Sequence, residues 1–254
     1  MKNSQNSRRA SEGGFSLIEL MIATLLFTTV AGITFALLGV SLTRYKSEKD
    51  YLNSFQQANV AMDQIARDVH TAGYPPTNSF TTATAAANPT KVATPFAWVT
   101  GYPAAPCTVG ATCVTTPSNF DLITEADLGT GNGVQWIRYS LQGTTLMRAV
   151  ANKNGNNPVA ATADKLIPYL DNVMNNASAA QMATLKAGNP DLFPGNAAVP
   201  IFTYTYDAGA ALQPPNIREV NVTLIVQSAQ PDPNTGKYRV VVLTGQALRI
   251  NPNQ

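Results

Sequence analysis

From Leu20 to Thr43 the chain carries no charged residue, reading LMIATLLFTTVAGITFALLGVSLT. A helix rises about 1.5 Å per residue, so about 20 apolar residues cross a hydrocarbon core of about 30 Å. The run is long enough to span a membrane, and it lies near the N-terminus. Lys2, Arg8 and Arg9 precede it in a polar leader. By the positive-inside rule they hold that end on the cytoplasmic side. Glu19 is out of place at the edge of such a span. A carboxylate costs about 2.5–3.5 kcal/mol at a membrane helix centre and less toward the end. It needs a partner, or it snorkels to the headgroups.

Two ordinary explanations account for part of this. A secretory signal peptide has a basic start and an apolar stretch, but that stretch is only about 7–15 residues. Gly39-Val40-Ser41 is also a poor small-x-small cleavage site. A plain single-pass anchor explains the length but not Glu19 or the preceding glycine pair, Gly13-Gly14.

Gly14-Phe15, with Glu19 four positions on and the charge-free span in register, resembles the class III signal of type IV prepilins and pseudopilins. The resemblance implies that a membrane prepilin peptidase cuts after Gly14 and methylates the new N-terminal residue, Phe15. It also implies that Glu19 acts in assembly, facing the N-terminal amine of a neighbouring subunit. Residues 1–14 are then the leader, 15–43 the transmembrane helix, 44–76 an amphipathic continuation, and 77–254 a β-rich periplasmic or extracellular head. The resemblance implies that the protein starts in a bacterial inner membrane and ends in a pilus (a fimbrium), with the tip among the positions open to it.

The remaining sequence agrees with such a head. After the span, Leu52, Phe55, Ala58, Met62, Ile65, Ala66 and Val69 recur at helical spacing. Asp50, Gln57, Asp63, Arg67 and Asp68 fall mainly on the other faces. No proline intervenes before Pro75, so span and amphipathic stretch are expected to form one helix from about Phe15 to about Ala72. Gly73 is the expected C-cap and Pro75-Pro76 the stop.

Residues 77–118 read as a long irregular connection, with Phe96, Trp98 and Tyr102 as anchors and with the chain's two cysteines, Cys107 and Cys113. In an oxidising compartment these are expected to form one disulfide. Its loop is short, so it adds only about 2–3 kcal/mol in the chain-entropy model.

Strand signals begin at 120–124, continue through 134–141 with Ile137, Tyr139 and Leu141 on one face, and return at 146–150 as a hairpin. Residues 166–174 fit either a strand or a short helix, and 177–187 are weakly helical. Three further strands are expected at 200–206, 218–226 and 238–243. Pro231–Gly236 is a strong turn signal. In 218–226, Val220, Val222 and Leu224 alternate with Asn221, Thr223 and Ile225, so one face can pack on the helix. The expected fold is α+β, a long N-terminal helix on an antiparallel sheet, as in type IV pilins.

In order, IARDVHTAGY, IRYSL with LMRA, DNV, FTYTYD and IREVNVTLIV are similar to PilW-type minor pilins and the J-type pseudopilins of type II secretion. Against that pattern, 174–199 looks like an insertion able to carry a partner-binding element. The resemblance implies a minor pilin that primes or tips a type IV pilus. Its alternatives are a J-type pseudopilin at a pseudopilus tip and a tip adhesin. The partners implied are the prepilin peptidase, other minor and major pilins, the inner membrane and the assembly platform.

Net charge is +2 and charged residues are 13%, which gives no argument for a nucleic-acid partner. The single histidine, His70, and two cysteines are a poor zinc set. Asp121, Asp127 and Asn132 lie near glycines as calcium oxygens or as turn residues. No G-x-S-x-G or H-E-x-x-H occurs, and the sequence names no catalytic residue and no cofactor.

Overall fold

The computed structural model describes residues 14–76, 79, 91–93, 95–97, 118–154, 157–209 and 216–251. Cys107 and Cys113, and with them the expected disulfide, lie outside the described residues, as do Trp98 and Tyr102. The chain divides into two compact units, Met1–Lys46 and Ser47–Gln254. One helix, α1 (Leu17–Thr71), contributes residues to both.

In the first unit the apolar side chains of α1 are uncovered by protein, from Leu17 through Leu42. A continuous apolar surface of this kind is stable in lipid or against another protein, not in water. Four threonines interrupt it and a fifth, Thr43, follows it. Each hydroxyl donates to a carbonyl three or four residues back: Thr24 to Met21, Thr28 and Thr29 to Leu25, Thr34 to Val30 and Thr43 to Gly39. Their polar atoms are thus satisfied within the helix, as a hydrocarbon environment requires.

In the second unit one face of α1 packs against two antiparallel sheets. The first holds β1 (Asp121–Asp127), β2 (Val134–Gln142), β3 (Thr145–Asn152) and β4 (Ile167–Leu170) in that spatial order. The second holds β5 (Phe202–Tyr206), β6 (Ile217–Gln227) and β7 (Val240–Leu248). Among the described residues two short helices lie in the connections, α2 (Pro158–Ala163) between β3 and β4 and α3 (Ala179–Lys186) between β4 and β5. The α+β layout expected from the sequence is the one observed. The β2–β3 hairpin turns on Gly143 and Thr144, with Gln142 opposite Thr145. Only Gly143 takes a positive φ, the pattern of a type II′ turn that matches strand twist.

The main core joins α1 to both sheets: Ala58, Ala61, Ile65 and Val69 from the helix, Leu122, Trp136, Ile137, Tyr139 and Leu146 from the first sheet, and Phe202, Val220, Val222 and Leu224 from the second. Phe96 is fully buried in it, as expected. Three expectations are corrected. Leu52 and Phe55 are 47% and 38% exposed, because they lie roughly a third of a turn or less outside the buried arc of Ser54, Ala58, Ala61 and Ile65. Asp68, expected on an outer face, is buried inside that arc. β2 is buried on both faces rather than one, with Trp136, Arg138 and Ser140 covered as well as Ile137 and Tyr139.

The 166–174 ambiguity resolves to strand β4, and the weak helical signal after it to α3. α3 begins with a full capping box, Ser178 with Gln181. The 174–199 stretch packs a second cluster, Met174, Ala177, Leu185 and Phe193, on Ile225 of β6. Buried Asn175 clamps its two ends. Its amide donates to the carbonyls of Val199 and Thr223, and its side-chain oxygen accepts from the Ile225 N–H.

α1 stops as the sequence suggests. Gly73 has φ +82° and donates its N–H to the Glu125 carbonyl at 2.8 Å. A Cβ there would lie 3.1 Å from Cγ of Pro95. Gly73→Ala is expected to lower stability by about 1–2 kcal/mol through the left-handed backbone alone. Urea unfolding of the detergent-solubilised chain measures it, and an unchanged midpoint would contradict this account of the helix end.

Candidate functional site

The start of α1 brings three of the sequence-derived site residues together. Gly14 and Phe15 precede the helix, and Phe15 is 89% exposed. Gly14 is exposed, and among the described residues no heavy atom lies within 4 Å of a Cβ placed on it. Ser16 stands just before the first helical residue, and its carbonyl accepts the Leu20 N–H at 3.2 Å. Glu19 is in the first turn, and its Oε2 accepts the Ser16 backbone N–H at 3.0 Å. That is one half of a capping box, and the helix dipole favours a negative charge at this end. The sequence reading gave Glu19 two fates, a neighbour's amine or the headgroups, and missed this third one. The signal was present as Ser16-x-x-Glu19 before an apolar run.

The head contains polar clusters that patterning did not reveal. On the α1 side of the first sheet, the Asp68 carboxylate accepts from the Tyr139 hydroxyl and from Nη2 of Arg148 at 3.0 Å. Gln64, one turn back, donates to its other oxygen at 2.8 Å. Arg148 Nε also donates to the Tyr139 oxygen at 3.0 Å. Burial, and then the adjacent Asp68 charge, push the Tyr139 hydroxyl well above the usual phenol range. It therefore stays a proton donor to Asp68 at any physiological pH.

A second cluster sits between the first sheet and residues 92–97. Lys153 Nζ donates to Oε2 of Glu125 at 2.8 Å and to the Val92 carbonyl at 2.9 Å, and Trp136 Nε1 donates to Oε1 of Glu125 at 2.6 Å. The Lys153 and Glu125 side chains are almost wholly buried. A third pairs Arg138 with Asp121 and ties α2 down through the Val159 carbonyl and the Thr162 hydroxyl. Each joins an acid and a base with further hydrogen bonds, as buried charges require. They read as fixtures of the fold.

The other candidates do not converge. Asp121 is engaged with Arg138, Asp127 accepts the Gly129 N–H inside its turn, and Asn132 donates to the Thr130 hydroxyl. Among the described residues no three His, Cys, Asp or Glu side chains form a metal-sized group.

The model of the prokaryotic N-terminal methylation motif matches residues 9–35. The chain is type IV pilin-like or pseudopilin-like. The matched residues contain Gly14, Phe15, Glu19 and most of the apolar span. No curated protein matches the chain, and no solved structure does. The head of this pilin-like chain is therefore interpreted from its own geometry.

Asp68 is expected to be the most costly head carboxylate to lose among α1's side chains. Asp68→Ala should destabilise by about 3 kcal/mol, the low end for a broken buried pair because Arg148 keeps some solvent contact. Tyr139→Phe should cost only about 1 kcal/mol, since Arg148 still holds the carboxylate. Chemical denaturation of the two variants checks the order. An equal cost, or a larger one for Tyr139→Phe, would contradict it.

Proposed function

We propose that the protein is a minor pilin of the PilW type, made as a prepilin and assembled into a type IV pilus. A prepilin peptidase cuts it between Gly14 and Phe15 and methylates the Phe15 amine. Before assembly the span holds it in the inner membrane with the N-terminus cytoplasmic and the head periplasmic. The assembly platform then moves it into the fibre, where its N-terminal helix packs among those of major and minor pilins. The reading is carried by one observation: the methylation motif stands in register with an uncovered apolar helix that continues, without a break, into the buried stripe of a folded α+β head.

Glu19 supplies the assembly step. A carboxylate among packed apolar helices is costly, and a neighbour's N-terminal amine offsets part of that cost. Only one vertical stagger brings the two charges together, so the pair checks the register of insertion. The order of the head segments supports the minor-pilin assignment. Asp171-Asn172-Val173 leads directly into the 174–199 lobe, which is folded on β6 and gives this subunit a surface of its own.

Mass spectrometry of the mature N-terminus is the direct test. The expected species begins with N-methyl-Phe15. Gly14→Ala should leave a larger, unmethylated protein in the membrane fraction, and normal processing of that variant would overturn the cleavage assignment. Glu19→Ala should be processed normally but be depleted from sheared fibres. Recovery of the chain only with a secretion pseudopilus would move it to the J-type pseudopilins.

A further inference from the structure

The four outer edges of the two sheets are not alike. β1 is sealed: Gly73 and Ala97 donate to the carbonyls of Glu125 and Ile123, and Glu125 and Asp127 donate to those of Pro95 and Tyr74. β4 is four residues long and carries Pro168, which cannot donate to a ladder. β5 is five residues long and lies against 118–119, with the Phe202 N–H on the Asn119 carbonyl and the Tyr204 hydroxyl on that of Ser118. Among the described residues β7 has no such guard. It is nine residues long, VVVLTGQAL, with no charge and no proline, and it pairs with β6 in unbroken register from Val240–Gln227 to Leu248–Glu219.

The ladder shows which of its groups are free. Arg249 donates to the Arg218 carbonyl, so the alternation of an antiparallel pair turns Val241, Leu243, Gly245 and Ala247 toward β6. Val242, Thr244, Gln246 and Leu248 then turn their N–H and C=O groups outward. Among the described residues none of these outward groups has a backbone partner. A long, regular, apolar edge of this kind is a template for another strand.

What lies beyond the edge is also apolar. β7 runs along α1 in the same direction. Arg239, just before it, pairs with Glu48 and lies over the Tyr51 ring; Gly245 faces Met62; Asn251, just after it, donates to the carbonyls of Thr71 and Ala72. α1 is covered from Asp68, under the first sheet, round to Met62, under β7. Further round in the same sense come Phe55 and Leu52, the two apolar residues of the expected stripe that no strand covers. An added strand beside β7 would continue the second sheet across α1 and lay its inward side chains on them.

We propose that β7 is the docking edge for an extended segment donated by a neighbouring fibre subunit, apolar at alternate positions, which becomes a fourth strand of the second sheet and covers Phe55 and Leu52. The proposal rests on the fibre-subunit reading. The donor is a different strand and not β7 of a second copy. Pairing two β7 edges antiparallel would set their two α1 segments antiparallel, whereas subunits anchored by the same N-terminal span enter a fibre in one orientation. Main-chain bonds would supply affinity and the alternate side chains specificity.

The test uses the full chain in fibre-producing cells, with the photo-crosslinking residue benzoylphenylalanine at Gln246. Crosslinked peptides are sequenced from both the sheared-fibre and membrane fractions. The expected product joins position 246 to an extended segment of another fibre subunit. Thr244→Pro removes an outward N–H without touching the β6 ladder, and should lower the yield roughly tenfold. Val242→Lys, which leaves the backbone intact and adds an edge charge, should do the same. Thr203→Lys on distant β5 should leave the yield unchanged. The proposal is overturned by crosslinks to β7 of a second copy, by no subunit crosslink in either fraction, or by yields that neither edge variant lowers. Absence of the unsubstituted chain from fibres would count against the fibre-subunit reading, and the membrane-fraction crosslinks would still decide this one.

Discussion

A buried carboxylate on a stripe of small side chains fixes how the head is put together. Ser54, Ala58 and Ala61 keep the buried face of α1 narrow, and Ile65 and Val69 are buried with it in the core shared with both sheets. Asp68 is set into the same stripe, where an unpaired charge would cost several kcal/mol. Its partners Tyr139 and Arg148 come from adjacent strands and are themselves in contact. The helix therefore has one acceptable rotation against the first sheet. Turning it by one residue, about 100°, would take Asp68 from both partners. That rotation also decides which face of α1 the second sheet receives, and leaves Leu52 and Phe55 outside it.

The three buried pairs divide the work of the first sheet. Asp68–Arg148 holds it to the helix, Glu125–Lys153 to the segment at Val92, and Asp121–Arg138 to α2. Such pairs add little net stability compared with apolar replacements of equal volume, but breaking one partner is severe. Their effect here is to specify which segment lies on which part of β1, β2 and β3. This explains why β2 is buried on both faces. In the second sheet the described ion pair of this kind lies at one end, where Arg249, just after β7, meets Asp207, just after β5. The sheet's inner face is aliphatic and aromatic, and its outer face presents Thr203, Asn221 and Thr223 beside the 174–199 lobe.

Periodicity made most of this legible. The continuous helix, its stop at Gly73, the hairpin and the three C-terminal strands follow from apolar spacing and turn residues, which act locally. The failures in the head share one cause: they depend on contacts distant in sequence. Asp68 looks like an ordinary solvent-facing charge until Tyr139 and Arg148 are placed beside it, 71 and 80 residues away. Leu52 and Phe55 fit a helical stripe in isolation, but the buried arc is set by where the sheets touch. α2 carried only a start signal, Asn157 as N-cap before Pro158, and it is held by Arg138 of a distant strand. The start of α1 was legible as a processing signal because it is a short linear motif. The capping role of Glu19 is equally local, spelled by Ser16-x-x-Glu19, whereas its pairing with another molecule is not a property of one chain.

That capping bond changes what the neighbour's amine must do. In the proposed cleavage after Gly14, Ser16 and its N–H would stay with the subunit, so the donor to Oε2 of Glu19 would not be removed with the leader. The carboxylate is then pre-oriented at the helix N-terminus. A carboxylate has about four acceptor sites on its two oxygens, and one N–H fills only one of them. A neighbour's ammonium can therefore add to the capping bond without replacing it. The single-chain state is also less costly than that of an unpartnered acid. On this account the subunit waits in the membrane with a tolerable charge, and the stagger of neighbouring helices selects insertion through the second interaction alone. The energetic margin for assembly is then smaller than the full burial cost of a carboxylate, and it is set by the geometry of the neighbour's first residue.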